Sequence, residues 1–206
     1  MAKPEQSQTP VILALTGASG VQYALRLLQC LLEAGTPVYL MVSKAAQIVL
    51  SMETDLTVPA KSAETARYFT ELYNANAGQL EVFSQEQWTA PIASGSHKAQ
   101  SMVVCPCTTG TLAAIANGNS DNLLERAADV MLKEKRQLIM VVRETPFSQI
   151  HLENMLRLSQ AGATIMPANP GFYHKPEKLE DIIDFMVARI LDHLKINHNL
   201  QPRWGE

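Results

Sequence analysis

The feature that most narrows the fold is a repeated alternation of short apolar runs with stretches of helical spacing. Val11 to Leu15, Val38 to Val42, Met102 to Cys105, Leu138 to Val142 and Thr164 to Met166 each read as a strand. Their residues are apolar in unbroken runs rather than at every second position, so these strands are covered on both faces. Between them the spacing predicts helices. The first runs from Val21 to Ala34, with Leu25, Leu28 and Leu32 on one face and Gly35 as its stop. Ser43 can cap a second from Lys44 to about Met52. Others are expected over 63–73, around 111–116 and 122–132, over 148–161 before Gly162, and over 179–194. The last carries an apolar stripe of Leu179, Ile182, Ile183, Met186 and Ile190. Leu80 to Ser96 is less regular, and 90–100 is the expected irregular surface segment. This order predicts one doubly wound α/β domain over residues 1–206, with a mainly parallel sheet of Rossmann-like or flavodoxin-like type. A polar N-terminal extension (1–9) and a C-terminal tail (195–206) flank it.

Composition restricts the partners. The apolar share is 47% and the charged share 18%, the balance of a chain with a substantial core. The net charge is −3 and basic residues form no long run, which argues against nucleic acid as the main partner. No apolar run reaches membrane-spanning length, and Met1 to Thr9 lacks a signal-peptide core. Cys30, Cys105 and Cys107 make an odd count without a secretory leader, which points to a reducing cytoplasm. Cys105 and Cys107 have no matching pair of Cys or His, so no metal site is expected.

In doubly wound sheets, ligands sit beyond the carboxyl ends of the strands. That rule selects Thr16 to Gly20, Ser43, Pro106 to Thr111, Arg143-Glu144 and Pro167 to Tyr173. Gly17, Ala18 and Ser19 let a ligand approach the backbone, where a helix N-terminus offers N–H groups to a phosphate; a tight strand-to-helix turn would look the same. The loop is not G-x-G-x-x-G, so NAD is not indicated. Thr108, Thr109, Gly110 and Thr111 repeat the layout, and read equally as an N-cap cluster. Arg143 can anchor a phosphate bidentately, and Glu144 can move a proton if partly desolvated; the bland alternative is a surface Arg–Glu pair. Arg126 and Lys133 are seven apart on one helical stretch, share a face, and point together at an anion or simply at solvent. Tyr173, in Pro170-Gly171-Phe172-Tyr173, and Arg189 can close a phosphate pocket or be ordinary surface residues. Trp88 and Trp204 are candidates for stacking on a flavin, and more ordinary ones for packing.

These segments together resemble the UbiX-type flavin prenyltransferases, from about Val11 to Glu206. The resemblance is carried by Leu15 to Gly20, Ser43 to Ala46, Cys105 to Cys107, Asn122 to Val130, Arg143 to Ser148 with Ile150 to Leu156, Pro170 to Tyr173, and Pro202 to Gly205. Thr108 stands where a serine is usual, which keeps the hydroxyl, and Phe147 where leucine is common. The resemblance implies that dimethylallyl phosphate alkylates reduced FMN at N5 and then C6, releasing phosphate without a metal. The prenylated FMN would serve a UbiD-type decarboxylase. It implies FMN contacts from Gly17, Ala18, Ser19, Ser43, Thr108, Thr109, Gly110, Thr111 and Arg143. Tyr173 and Arg189 would hold the dimethylallyl phosphate, with Lys133 and Arg126 close to it. Glu144 would manage protons, and Glu53 would line the site. It further implies a large homo-oligomer, typically a dodecamer, with sites at subunit junctions. Two other readings compete. One is an FMN-dependent decarboxylase of the cysteine-decarboxylase group, whose Pro-x-Met-Asn-x-x-Met-Trp pattern is missing here. The other is a non-catalytic flavin carrier.

Overall fold

The computed structural model describes residues 9–202. The polar extension before Thr9 and the end of the chain from Arg203, with Trp204, lie outside the described residues. Six parallel strands form one sheet in the order β3-β2-β1-β4-β5-β6. They are β1 (Val11–Leu15), β2 (Val38–Val42), β3 (Leu80–Phe83), β4 (Ser101–Cys107), β5 (Gln137–Val142) and β6 (Thr164–Pro167). This order, 3-2-1-4-5-6, is Rossmann-like and not flavodoxin-like. The strand order reverses between β1 and β4, so a crevice opens there beyond their carboxyl ends.

The helices are α1 (Val21–Glu33), α2 (Lys44–Glu53), α3 (Ser62–Leu72), α4 (Thr109–Ala116), α5 (Leu123–Lys133), α6 (Gln149–Gln160) and α7 (Leu179–Leu194). Side chains alternate along each strand, so β1 feeds two cores. Leu13 and Leu15 join Leu27, Leu28 and Leu31 of α1, and Met186 and Ile190 of α7. Ile12 and Ala14 face Leu112 of α4, Leu124 and Met131 of α5, and Leu158 of α6. Burying a leucine of this kind contributes about 1.5–3 kcal/mol, which holds the helices where their termini meet the crevice. Arg26 of α1 adds an ion pair to Asp184 of α7 at 2.7 Å.

Three expectations change. Leu80–Phe83, read as irregular, is the edge strand β3; its exposed Glu81 and four-residue length hide the pattern. Leu25 is only partly buried while Leu27 and Leu31 are fully so, because the α1 stripe is turned by one residue. Leu179 is 62% exposed, since the first turn of α7 lies outside the packed part of its stripe.

Candidate active site at the sheet switch point

The crevice floor is built by backbone. The β1–β4 ladder ends at Ala14 and Val104, and the register of β4 shifts between Val104 and Cys107. Past that point Thr16 spans the gap. Its hydroxyl donates to the Pro106 carbonyl at 2.6 Å and accepts from the Thr108 N–H at 2.8 Å. Gly17 follows, packed on the start of α2: a Cβ there would stand 2.5 Å from the Ala45 Cβ. Gly20 takes a left-handed φ of 96°, which turns the chain into α1 and favours glycine.

The N-terminus of α1 was expected to face a phosphate. The structure puts a carboxylate there instead. Glu53, the last residue of α2, accepts from the Gly20 and Val21 N–H groups at 2.9 and 3.1 Å. Partial burial would raise its pKa. Hydrogen bonds from the Ser19 hydroxyl and from those two N–H groups, with the positive field of Arg143, outweigh it and hold the carboxyl below its ordinary value. Gly17, Ala18, Ser19 and Glu53 thus meet on one wall, with Ser19 exposed toward the crevice. The sequence carried no sign that Glu53 would cap a helix 33 residues back along the chain.

The facing wall is the β4–α4 loop. Thr108 is the N-cap of α4: its hydroxyl accepts from the Thr111 N–H at 3.0 Å and bonds the Thr111 hydroxyl at 2.9 Å. The cap reading of this threonine therefore holds. The N–H groups of Thr109 and Gly110 belong to the first turn and have no intrahelical acceptor, so they can receive an anion. A Cβ on Gly110 would meet nothing nearer than 3.9 Å, which leaves that approach open. Ser43 is likewise a cap, accepting from Ala46 N–H at 3.0 Å, and its own N–H donates to the Leu15 carbonyl. Its side chain is 9% exposed, so it shapes the wall more than it presents a hydroxyl.

Arg143 and Glu144 follow β5. The Arg143 Nε is buried and has no hydrogen-bond partner. A guanidinium N–H buried without an acceptor is costly, and a phosphate or a flavin carbonyl supplies one. The residues present therefore fit an anionic nucleotide such as FMN. Glu144 does not form the simple surface pair with its neighbour; its carboxylate accepts from the Thr145 N–H at 3.0 Å. Cys105 and Cys107 lie under the floor, fully buried, and burial pushes both thiols far up, so neither supplies a thiolate.

Four expected residues lie elsewhere in the chain. Tyr173 and Arg189 do come together, around a cavity of about 520 Å³ also lined by Phe185, Asp192 and His198. Arg189 pairs there with Asp192 at 2.8 Å. Arg126 and Lys133 do not converge on a common point. Arg126 donates to the Ala93 carbonyl and pairs with Asp129 at 2.7 Å, while Lys133 pairs with Glu134. Lys133 ends α5, shortly before β5 begins, and so lies toward the amino ends of the strands, whereas Arg143 follows a carboxyl end. Arg126 takes the carboxylate three residues on, a pairing that helical spacing favours, and Lys133 takes that of its neighbour.

Known proteins share this chain's sequence and fold. A family model described as Flavoprotein matches residues 2–191. The Pseudomonas aeruginosa protein named flavin prenyltransferase UbiX is 55% identical over 206 residues, covering 100% of this chain and 97% of its own. The crystal structure of AnUbiX (PadA1) in complex with FMN and dimethylallyl pyrophosphate superposes with a TM-score of 0.86 at 38% identity, over 97% of this chain and 98% of that one. A dodecameric FMN-dependent Ubix-like decarboxylase from Escherichia coli O157:H7 gives 0.84 at 39% identity, over 96% and 100%. The FMN-dependent cysteine decarboxylase TvaF, at 17% identity and a TM-score of 0.56, shares the fold alone.

Proposed function

Because this chain belongs to the UbiX-type flavin prenyltransferases of the Flavoprotein family, we propose that it moves a dimethylallyl group from dimethylallyl phosphate to N5 and C6 of reduced FMN. The protein is an enzyme of that class, and its flavin is FMN. In the proposed reaction the bond between the allylic carbon and its phosphate oxygen breaks, and inorganic phosphate leaves with the electron pair. N5 takes the allylic carbon and gives up its proton; protonation of the remaining double bond then lets the tertiary carbon bond to C6, and C6 gives up a proton in turn, leaving one net proton for the released phosphate. The product, prenylated FMN, is the cofactor a UbiD-type decarboxylase would take.

The observation that carries this reading is a second pocket, lined by Tyr173 and by Arg189 in its pair with Asp192. A flavin carrier needs only the crevice. In the proposal, Thr109 to Thr111, Ser19 and Arg143 hold FMN, with Gly17, Ala18, Ser43 and Thr108 shaping its walls. Tyr173 and Arg189 hold the departing phosphate, where fixed donors stabilise charge as it develops. Glu144 holds or moves the proton, and Glu53 orders the Ser19 wall.

Lys133 and Arg126 would reach the phosphate from a neighbouring copy, since Lys133 lies toward the amino ends of the strands, away from the crevice. A homo-oligomer, proposed as a dodecamer like the Escherichia coli relative, would then complete each site. No helix among the described residues is long and apolar enough to cross a membrane. Cys30, Cys105 and Cys107 are free thiols, which suits the proposed cytoplasmic setting.

The test is anaerobic. Protein, reduced FMN and dimethylallyl phosphate are mixed, and the released flavin is weighed by mass spectrometry. A gain of one C5 unit with phosphate release supports the proposal, and the diphosphate run in parallel identifies the preferred donor. Unmodified FMN from protein that binds it would favour the decarboxylase or carrier reading.

A further inference from the structure

We propose that Thr16 is a positioning residue for flavin binding, its one hydroxyl setting the spacing between the two loops that face each other across the crevice. The proposal rests on the reading that this crevice holds FMN.

The reason begins with the ladder. After Ala14 and Val104 the strands β1 and β4 no longer pair in register. Without a side-chain partner the part-buried Thr108 N–H would lie unpaired at the crevice floor and the buried Pro106 carbonyl would keep one long backbone bond, at a cost comparable to a lost hydrogen bond. Thr16 is 2% exposed and answers both with one group, donating at 2.6 Å and accepting at 2.8 Å. A hydroxyl is the smallest side-chain group that does both. Its backbone N–H also reaches the Pro106 carbonyl, at 3.3 Å.

Two consequences follow for the site. The bond to the Thr108 N–H helps hold Thr108 extended, at φ −70° and ψ 152°, the conformation of an N-cap. That aims the open N–H groups of Thr109 and Gly110 at the space between the loops. The same bond uses the Thr108 N–H, so FMN contacts on this wall come from residues 109 to 111. Thr16 therefore touches no ligand and acts through both walls at once. A valine at this position keeps the shape and loses both bonds.

The experiment is FMN titration of native protein, Thr16→Val and Thr16→Ser, with thermal unfolding of each. Thr16→Val is expected to weaken FMN binding about tenfold, the scale of one lost hydrogen bond. Its KM for dimethylallyl phosphate at saturating FMN should stay unchanged, and Thr16→Ser, which keeps the hydroxyl, should bind FMN like the native protein. If Thr16→Val melts earlier but binds FMN with native affinity, Thr16 only stabilises the fold and the proposal is overturned. Failure of serine to restore affinity overturns it too. Arg143→Ala is the control for the underlying reading. If Arg143→Ala loses FMN and Thr16→Val does not, the staple alone fails; if neither loses FMN, the crevice reading fails first. Should Thr16→Val not fold, hydrogen-exchange mass spectrometry on the native protein decides. A protected Thr108 amide without FMN supports the staple, and a freely exchanging one overturns it.

Discussion

Arg143, Glu144 and Glu53 show how much one residue's surroundings decide. The sequence presents Arg143 and Glu144 as a charged pair after a buried strand. In the structure they part: the guanidinium keeps a buried, unpartnered Nε, and the carboxylate accepts from the Thr145 N–H. On the proposed mechanism, Glu144→Gln should keep FMN affinity within about twofold and slow prenyl transfer about a hundredfold, since one positioned proton donor contributes on that scale. Single-turnover mass spectrometry beside an FMN titration checks both. Arg189→Ala should raise the KM for dimethylallyl phosphate about tenfold while leaving FMN binding alone, as loss of one charge-assisted contact would; equal loss of both would make Arg189 structural. Glu53 is a stability residue as well. Its folded pKa lies below the ordinary value of 4.5, so its contribution is present above that pH and fades as pH falls through the folded value. Glu53→Gln should cost about 0.5–1 kcal/mol at neutral pH, discounted for solvent screening, and the gap to native should close on acidification below 4.5. Denaturant melts at several pH values measure it.

Elements position these side chains through their ends. The termini of α1, α2 and α4 meet at the crevice because parallel strands deliver every helix start to the same sheet edge. Two caps were legible: Ser43 and Thr108 each accept from the N–H three residues on, as their types and positions suggest, whereas Asn122, read as the first residue of a helix, caps it instead. Ser148 caps α6 in the same way, with the His151 ring returning a bond to the Ser148 N–H. The packing of Gly17 on α2 was not legible, because it depends on a helix that begins 27 positions later. Gly17→Ala should cost about 1–3 kcal/mol, since the Ala45 Cβ at 2.5 Å and its backbone carbonyl carbon at 3.2 Å leave no room. Thermal unfolding reads the loss. FMN affinity should fall with it, because α2 also delivers Glu53.

At the scale of the molecule, the single chain separates residues that the proposed chemistry needs together. Lys133 ends α5 toward the amino ends of the strands and Glu144 follows a carboxyl end, so the two would meet only if copies exchange residues across junctions. Coexpression tests this directly. Lys133→Ala and Glu144→Gln chains, each nearly inactive alone, should together regain about a quarter of native activity in randomly mixed oligomers, where some sites collect both native residues. Mixed oligomers that stay inactive would place Lys133 and Glu144 in the same chain's site. Light scattering should give about twelve chains of 22.7 kDa.

The sequence by itself determined what local chemistry and periodicity encode. Unbroken apolar runs named the four inner strands, polar caps named the starts of α2 and α4, and the carboxyl-end rule named the loops that meet at the crevice. The short edge strand at Leu80–Phe83 escaped because four residues, one of them an exposed glutamate, carry no period. Contacts between distant positions belonged to the tertiary structure alone: Glu53 on the start of α1, Thr16 between Pro106 and Thr108, Arg189 in one pocket with Tyr173. The physical reason is range. Strand, helix and cap preferences act within a few residues, whereas strand order and the meeting of loop ends depend on how the whole chain closes over two cores, and only that closure decides which charge finds which partner.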